Sequence, residues 1–119
     1  MHRAAVLAAS LFVVSAAHAE STYRMVSGGW WKDDPHCQGA LEIEYRGTDK
    51  LGTLRWRESA MDPWKIGKID HVIPEFNRFF IGSVDQSTSV QGTIDDRRIE
   101  GSVTFYQRRC EYRFVLQRS

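Results

Sequence analysis

The run Cys110-Glu111-Tyr112-Arg113-Phe114-Val115-Leu116-Gln117-Arg118 decides the fold. Cys110, Tyr112, Phe114 and Leu116 alternate with Glu111, Arg113 and Gln117. A period of two belongs to a strand with one face in a core and the other in water. Upstream, Ile99, Gly101, Val103 and Phe105 alternate with Glu100, Ser102 and Thr104, and Gln107-Arg108-Arg109 turns the chain between the two runs. Val90, Gly92 and Ile94 alternate with Gln91, Thr93 and Asp95, and the turn Asp95-Asp96-Arg97-Arg98 follows. Further back, Leu41, Ile43 and Tyr45 alternate with Glu42, Glu44 and Arg46. The turn Gly47-Thr48-Asp49-Lys50 then leads to Leu54 and Trp56, interleaved with Arg55 and Arg57.

Strands are therefore expected near 40–46, 52–58, 65–73, 78–84, 89–95, 98–106 and 110–117, with another at 22–31. Their short connections favour antiparallel neighbours over helical crossovers. No segment beyond the N-terminal stretch carries a 3.6-residue apolar repeat. The fold class is all-β: a small antiparallel up-and-down barrel, or a flattened barrel or sandwich, of seven to eight strands. Glu58 to Trp64 contains Pro63 and is expected to be a loop. His71 falls between Ile69 and Ile73 on one expected strand face, and Pro74 stops that run. The neighbours Phe79 and Phe80 cannot both face one side of a regular strand.

The N-terminus has a different character. Met1-His2-Arg3 precedes an uncharged apolar run to Ala17, and Ala17-His18-Ala19 ends it. A basic start, an apolar middle and an A-x-A site make residues 1–19 a cleavable secretory signal, with cleavage after Ala16 or Ala17 as alternatives. The run is too short for a membrane span, which takes about 20 apolar residues. Residues 20–119 are then a single β-domain, periplasmic or extracellular, with no transmembrane segment. The chain has 16 Lys+Arg and 15 Asp+Glu, and loss of Arg3 with the signal leaves 15 of each. A neutral domain has no global field to gather nucleic acid, so none is expected as a partner.

About 100 residues support one modest core, for which a covalent staple is useful. Cys37 and Cys110 are the two cysteines. In an oxidising compartment they are expected to form one internal disulfide, with free thiols or intermolecular bonds as the rivals. The bridge would tie the N-terminal segment to the final strand, where a barrel must close.

Gly28-Gly29-Trp30-Trp31 contains G-x-W twice near the start of the β pattern, and Arg118 ends the last strand. In this the chain resembles the calycin-like (lipocalin-type) β-barrels, and its Trp, Cys and Gly spacing resembles small secreted domains of bacteria. The resemblance implies that Trp30 or Trp31 packs under Arg118 as the barrel closes.

There is no G-x-S-x-G, no reactive-cysteine signature, no G-x-G-x-x-G and no P-loop lysine. Asp33, Asp34, His36 and Cys37 are dense in ligand atoms, but a disulfide would consume Cys37, so no metal site is expected. Glu42 and Glu44 share one strand face, whereas paired glycosidase carboxylates usually face each other across a cleft. The expectation is a non-enzymatic binding protein without a cofactor. Its ligand would be a small apolar molecule in the barrel mouth, held by aromatic residues drawn from Trp30, Trp31, Trp64, Phe79 and Phe80. The alternatives are a protein-binding inhibitor of a cell-wall hydrolase or protease, working through loop 58–64, and a structural envelope protein with no defined ligand.

Overall fold

The computed structural model describes residues 20–32, 35–48 and 50–119. The expected export signal at 1–19, and the residues Asp33, Asp34 and Asp49, lie outside the described residues. Eight strands follow one another: β1 (Ser21–Trp30), β2 (Glu42–Thr48), β3 (Leu51–Arg57), β4 (Lys65–Ile69), β5 (Arg78–Gly82), β6 (Thr88–Ile94), β7 (Arg98–Phe105) and β8 (Cys110–Arg118). A 3-10 turn, Glu75–Asn77, separates β4 from β5. All pairings are antiparallel, in the order β4-β3-β2-β1-β8-β7-β6-β5. Every ladder joins consecutive strands except β1–β8, so the sheet is an up-and-down meander rolled into a nearly closed barrel. Among the described residues no helix is long and apolar enough to cross a membrane.

The alternation read from sequence sorts side chains as expected. Leu54, Trp56, Val90, Ile99, Val103 and Leu116 have 0 % exposure, and burying each such side chain contributes on the order of 2 kcal/mol before the entropy of ordering it. The indole N–H of Trp56 crosses the interior from β3 to donate to Thr88 Oγ1 on β6, at 3.1 Å. Outside, Glu44 and Glu42 stand directly opposite Arg55 and Arg57, with N···O distances of 2.6 and 2.7 Å. These acids form a solvent face with cross-strand partners.

The disulfide joins Cys37 and Cys110, 73 residues apart, and clips the loop after β1 to the start of β8. That loop is held at other points too. Trp30 Nε1 donates to the Gly39 carbonyl at 2.9 Å, the Trp31 N–H donates to Glu111 at 2.8 Å, and Leu41 is buried.

Two expectations need correction. First, the strand expected at 65–73 ends at Ile69. The chain leaves the sheet at Asp70, and Ile73 returns only as an isolated bridge to Arg78 around the Pro74 turn. His71 is therefore exposed in a loop and shares no strand face with Ile69. Second, neither Trp30 nor Trp31 meets Arg118. In the antiparallel β1–β8 pair, Arg118 lies opposite Tyr23 and Trp30 lies opposite Tyr112, so the tryptophans and Arg118 are at opposite ends of the ladder. The chain ends close the barrel through β1 and β8, as expected, and the seam between β4 and β5 lies in mid-chain.

That seam has a defined construction. The Val84 N–H donates to the Ile66 carbonyl at 2.9 Å. Lys65 pairs with Asp85, and Lys50 Nζ donates to Asn77 Oδ1 at 3.2 Å. The Lys65 ammonium, then the hydroxyls of Ser87 and Ser83, hold the Asp85 carboxyl well below the usual carboxylate range. Gly67 faces inward here. A Cβ on it would stand 2.9 Å from Ile81 Cδ1 and 3.1 Å from the Gly82 carbonyl oxygen, so the absent side chain lets β5 lie close on β4.

Candidate functional site

A long surface depression lies on the outer wall of the barrel, and the register explains it. Phe79, Gly92, Gly101, Phe114 and Gly28 form one row across β5, β6, β7, β8 and β1. The row belongs to the inward phase, with Phe79 and Phe114 buried. Gly92 and Gly101 face each other between them, and a Cβ on either would collide with the facing strand, at the carbonyl oxygen of Glu100 or of Gln91. Only glycine permits this backbone approach.

The outward rows on either side form the walls. One reads Phe80, Gln91, Ser102, Arg113, Gly29; the other reads Arg78, Thr93, Glu100, Val115, Ser27. Between them runs an open trough of 970 Å³, with Ile73 and Glu111 completing its lining. It crosses five strands, so its length is about 19 Å at the usual strand spacing.

Its lining carries two bases, Arg78 and Arg113, and two acids, Glu100 and Glu111, with Arg98 beside them. Glu100 pairs with Arg98, and Arg113 lies 3.8 Å from Glu111. The Arg113 guanidinium also stacks on Trp31, 3.1 Å from the ring centroid. Arg78 makes no ion pair among the described residues. At the β5 end Phe80 is 66 % exposed, beside the half-exposed Ile73.

The five aromatic residues expected to form one site do not converge. Phe79 is buried in the core, and its neighbour Phe80 points outward into the trough. Trp31, 44 % exposed, flanks the far end of the trough through Arg113. Trp30 closes the barrel end near the disulfide, with its ring 5.0 Å from Tyr112, 5.7 Å from Phe105 and 5.5 Å from the Arg108 guanidinium. Trp64 lies over the β3 outer face, 4.1 Å from the guanidinium carbons of both Arg55 and Arg57. Sequence reasoning missed Gln91, Thr93, Ser102, Arg113 and Val115 as one surface. Two glycines on the inward phase of adjacent strands were the available signal, and it takes the cross-strand register to align them.

Near the disulfide, His36 Nε2 is 3.7 Å from both sulfurs and donates to the Arg108 carbonyl oxygen at 2.9 Å. His36, Cys37 and Cys110 thus offer ligand atoms within 4.8 Å of one another, but the two sulfurs are bonded to each other. A disulfide sulfur is a poor donor beside the thiolate a metal requires. The sequence matches no protein-family model, and no curated protein or solved structure matches it.

Proposed function

We propose that this chain is an exported, non-enzymatic binding domain that takes its ligand on the outer wall of the barrel. One observation carries the reading. Side chains with no accessible surface fill the interior from β3 to β8, whereas the trough over Gly92 and Gly101 offers 970 Å³ outside. Ligand sites are concave and pair apolar surface with a few placed polar groups. The trough supplies Phe80, Ile73 and Val115 beside Arg78, Gln91, Thr93 and Ser102. The disulfide and the N-terminal A-x-A pattern support the envelope or the extracellular space as its location.

Screening a chemically diverse fragment set by backbone-amide NMR tests the reading. Hits should move the amides of Gln91, Thr93, Ser102 and Val115, and Thr93→Trp, which fills the trough from an exposed position, should abolish them. Hits that instead move interior residues such as Leu54 and Val90 would restore the barrel-mouth site and overturn the proposal.

A protein-binding role has its own support in the apolar stripe along the seam, where Ile66, Ile73, Phe76, Phe80 and Val84 are all exposed. Exposed apolar surface gathered along one line is a feature of protein interaction sites. This reading places the partner on the seam and not on loop 58–64. Val84→Asp should then abolish inhibition of a secreted hydrolase, and Pro63→Ala should leave it unchanged.

A further inference from the structure

We infer that the ligand of the outer-wall trough is an uncharged, hydroxyl-rich linear chain, a short oligosaccharide, an inference that rests on the outer-wall reading above. Four observations lead to it.

The first is shape. Closed pockets bury most of a compact apolar ligand. This trough is open along its length and crosses five strands, a form that grips an extended chain.

The second is the chemistry of the walls. Gln91 presents a planar amide, Arg78 and Arg113 planar guanidiniums, and Glu100 a planar carboxylate. The Gln91 amide and the Arg78 guanidinium, which makes no ion pair among the described residues, can each make two parallel hydrogen bonds, which suits a pair of neighbouring hydroxyls; Glu100 and Arg113 are already engaged with Arg98 and Glu111. Thr93, Ser102 and Ser27 add hydroxyls that both donate and accept. The exposed face of Phe80 is an apolar platform at one end, the counterpart of the C–H face of a sugar ring.

Charge is the third. Arg78 and Arg113 are balanced in the lining by Glu100 and Glu111. Glu100 and Glu111 lie among the bases, so a polyanion such as nucleic acid or a phosphate-rich polymer would meet repulsion along the lining as well as attraction.

The fourth is the backbone. A peptide that binds a sheet by strand addition needs a free edge. In the middle of the trough, β6, β7 and β8 are each paired on both sides. An extended peptide lying across them finds no strand to join.

The test is titration of the disulfide-bonded protein with chitotetraose, cellotetraose and maltotetraose, read by backbone-amide NMR. Sodium laurate and tetra-alanine serve as comparison probes. At least one tetrasaccharide should move the amides of Gln91, Thr93, Ser102 and Val115. Phe80→Ala and Gln91→Ala should each weaken that binding about tenfold. Both side chains are exposed, so the rest of the spectrum should not change. If laurate or tetra-alanine moves these amides and no sugar does, the oligosaccharide inference is overturned and the outer-wall site stands. If no probe moves them, both fall. Shifts that persist undiminished in Phe80→Ala and Gln91→Ala would also overturn the inference, because they would place the sugar elsewhere.

Discussion

Replacing both Cys37 and Cys110 by alanine should cost about 4.5 kcal/mol of stability. The bridge closes a loop across 73 residues, and the entropy of closing that loop in the unfolded chain, at 25 °C, gives the figure. The folded state should change little. The loop after β1 keeps the Trp30–Gly39 hydrogen bond, the Trp31–Glu111 hydrogen bond and the buried Leu41. Against a total of about 10 kcal/mol for a typical domain, the loss is close to half. Urea unfolding followed by tryptophan fluorescence measures it, since Trp56 moves from full burial into water. The midpoint should fall by about 2 M, and the slope should rise because the unfolded chain becomes less compact. A fall of less than about 0.5 M with an unchanged slope would sink the loop-entropy account. So would displaced amide signals throughout 35–41 and the start of β8, since the loss would then lie in folded-state contacts.

Four other outcomes are expected. The Tyr45 hydroxyl is buried with no hydrogen-bond partner among the described residues, so Tyr45→Phe should be neutral or stabilise by about 1 kcal/mol. Burial first, then Tyr23 and Glu20, push the Tyr45 hydroxyl up to about 12. A folded value raised above the unfolded one gives stability that is complete below about pH 10 and lost as pH climbs toward 12. The amount is about 3 kcal/mol, so the wild type should weaken between pH 9 and 11.5 more than Tyr45→Phe does; parallel urea midpoints across that range would refute this origin. Gly101→Ala should cost about 2 kcal/mol or more, because its Cβ meets the Gln91 carbonyl oxygen and not a movable side chain; an unchanged melting temperature would show that the strands can part there without loss. Thr88→Val strands the buried Trp56 N–H and should cost about 2 kcal/mol; an unchanged urea midpoint would show that this hydrogen bond contributes nothing.

Strand identity was legible because side-chain alternation is local. Each of the eight strands lies where a period of two, or a run bounded by turns, places one. The disulfide was legible because two cysteines allow one internal pairing. The aromatic cluster was not, because distance along the chain does not report which end of a ladder a residue occupies. Trp30 and Arg118 both belong to the β1–β8 pair, with Trp31 just past its end, and the antiparallel direction puts the tryptophans and Arg118 at its two ends. The trough was hidden for a related reason. Gln91, Ser102 and Arg113 look like ordinary outward polar residues on three separate strands, and only the Gly92–Gly101 register makes them one wall. The end of β4 at Ile69 was obscured by apolar Val72 and Ile73, which keep the appearance of a strand after the chain has left the sheet.

The pairing of the first strand with the last places Ser119 and Thr22 within a hydrogen bond of each other. The polypeptide is in effect two four-stranded ribbons laid side by side, β1–β4 and β5–β8, joined through the two strands furthest apart in sequence. Fusing residues 20 and 119 by a short linker and cutting anew within 70–77 would leave every ladder in place while converting that most distant contact into a plain hairpin. Because contacts remote in sequence slow folding, a circular permutant of this kind should fold faster than the natural order, with the same finished architecture.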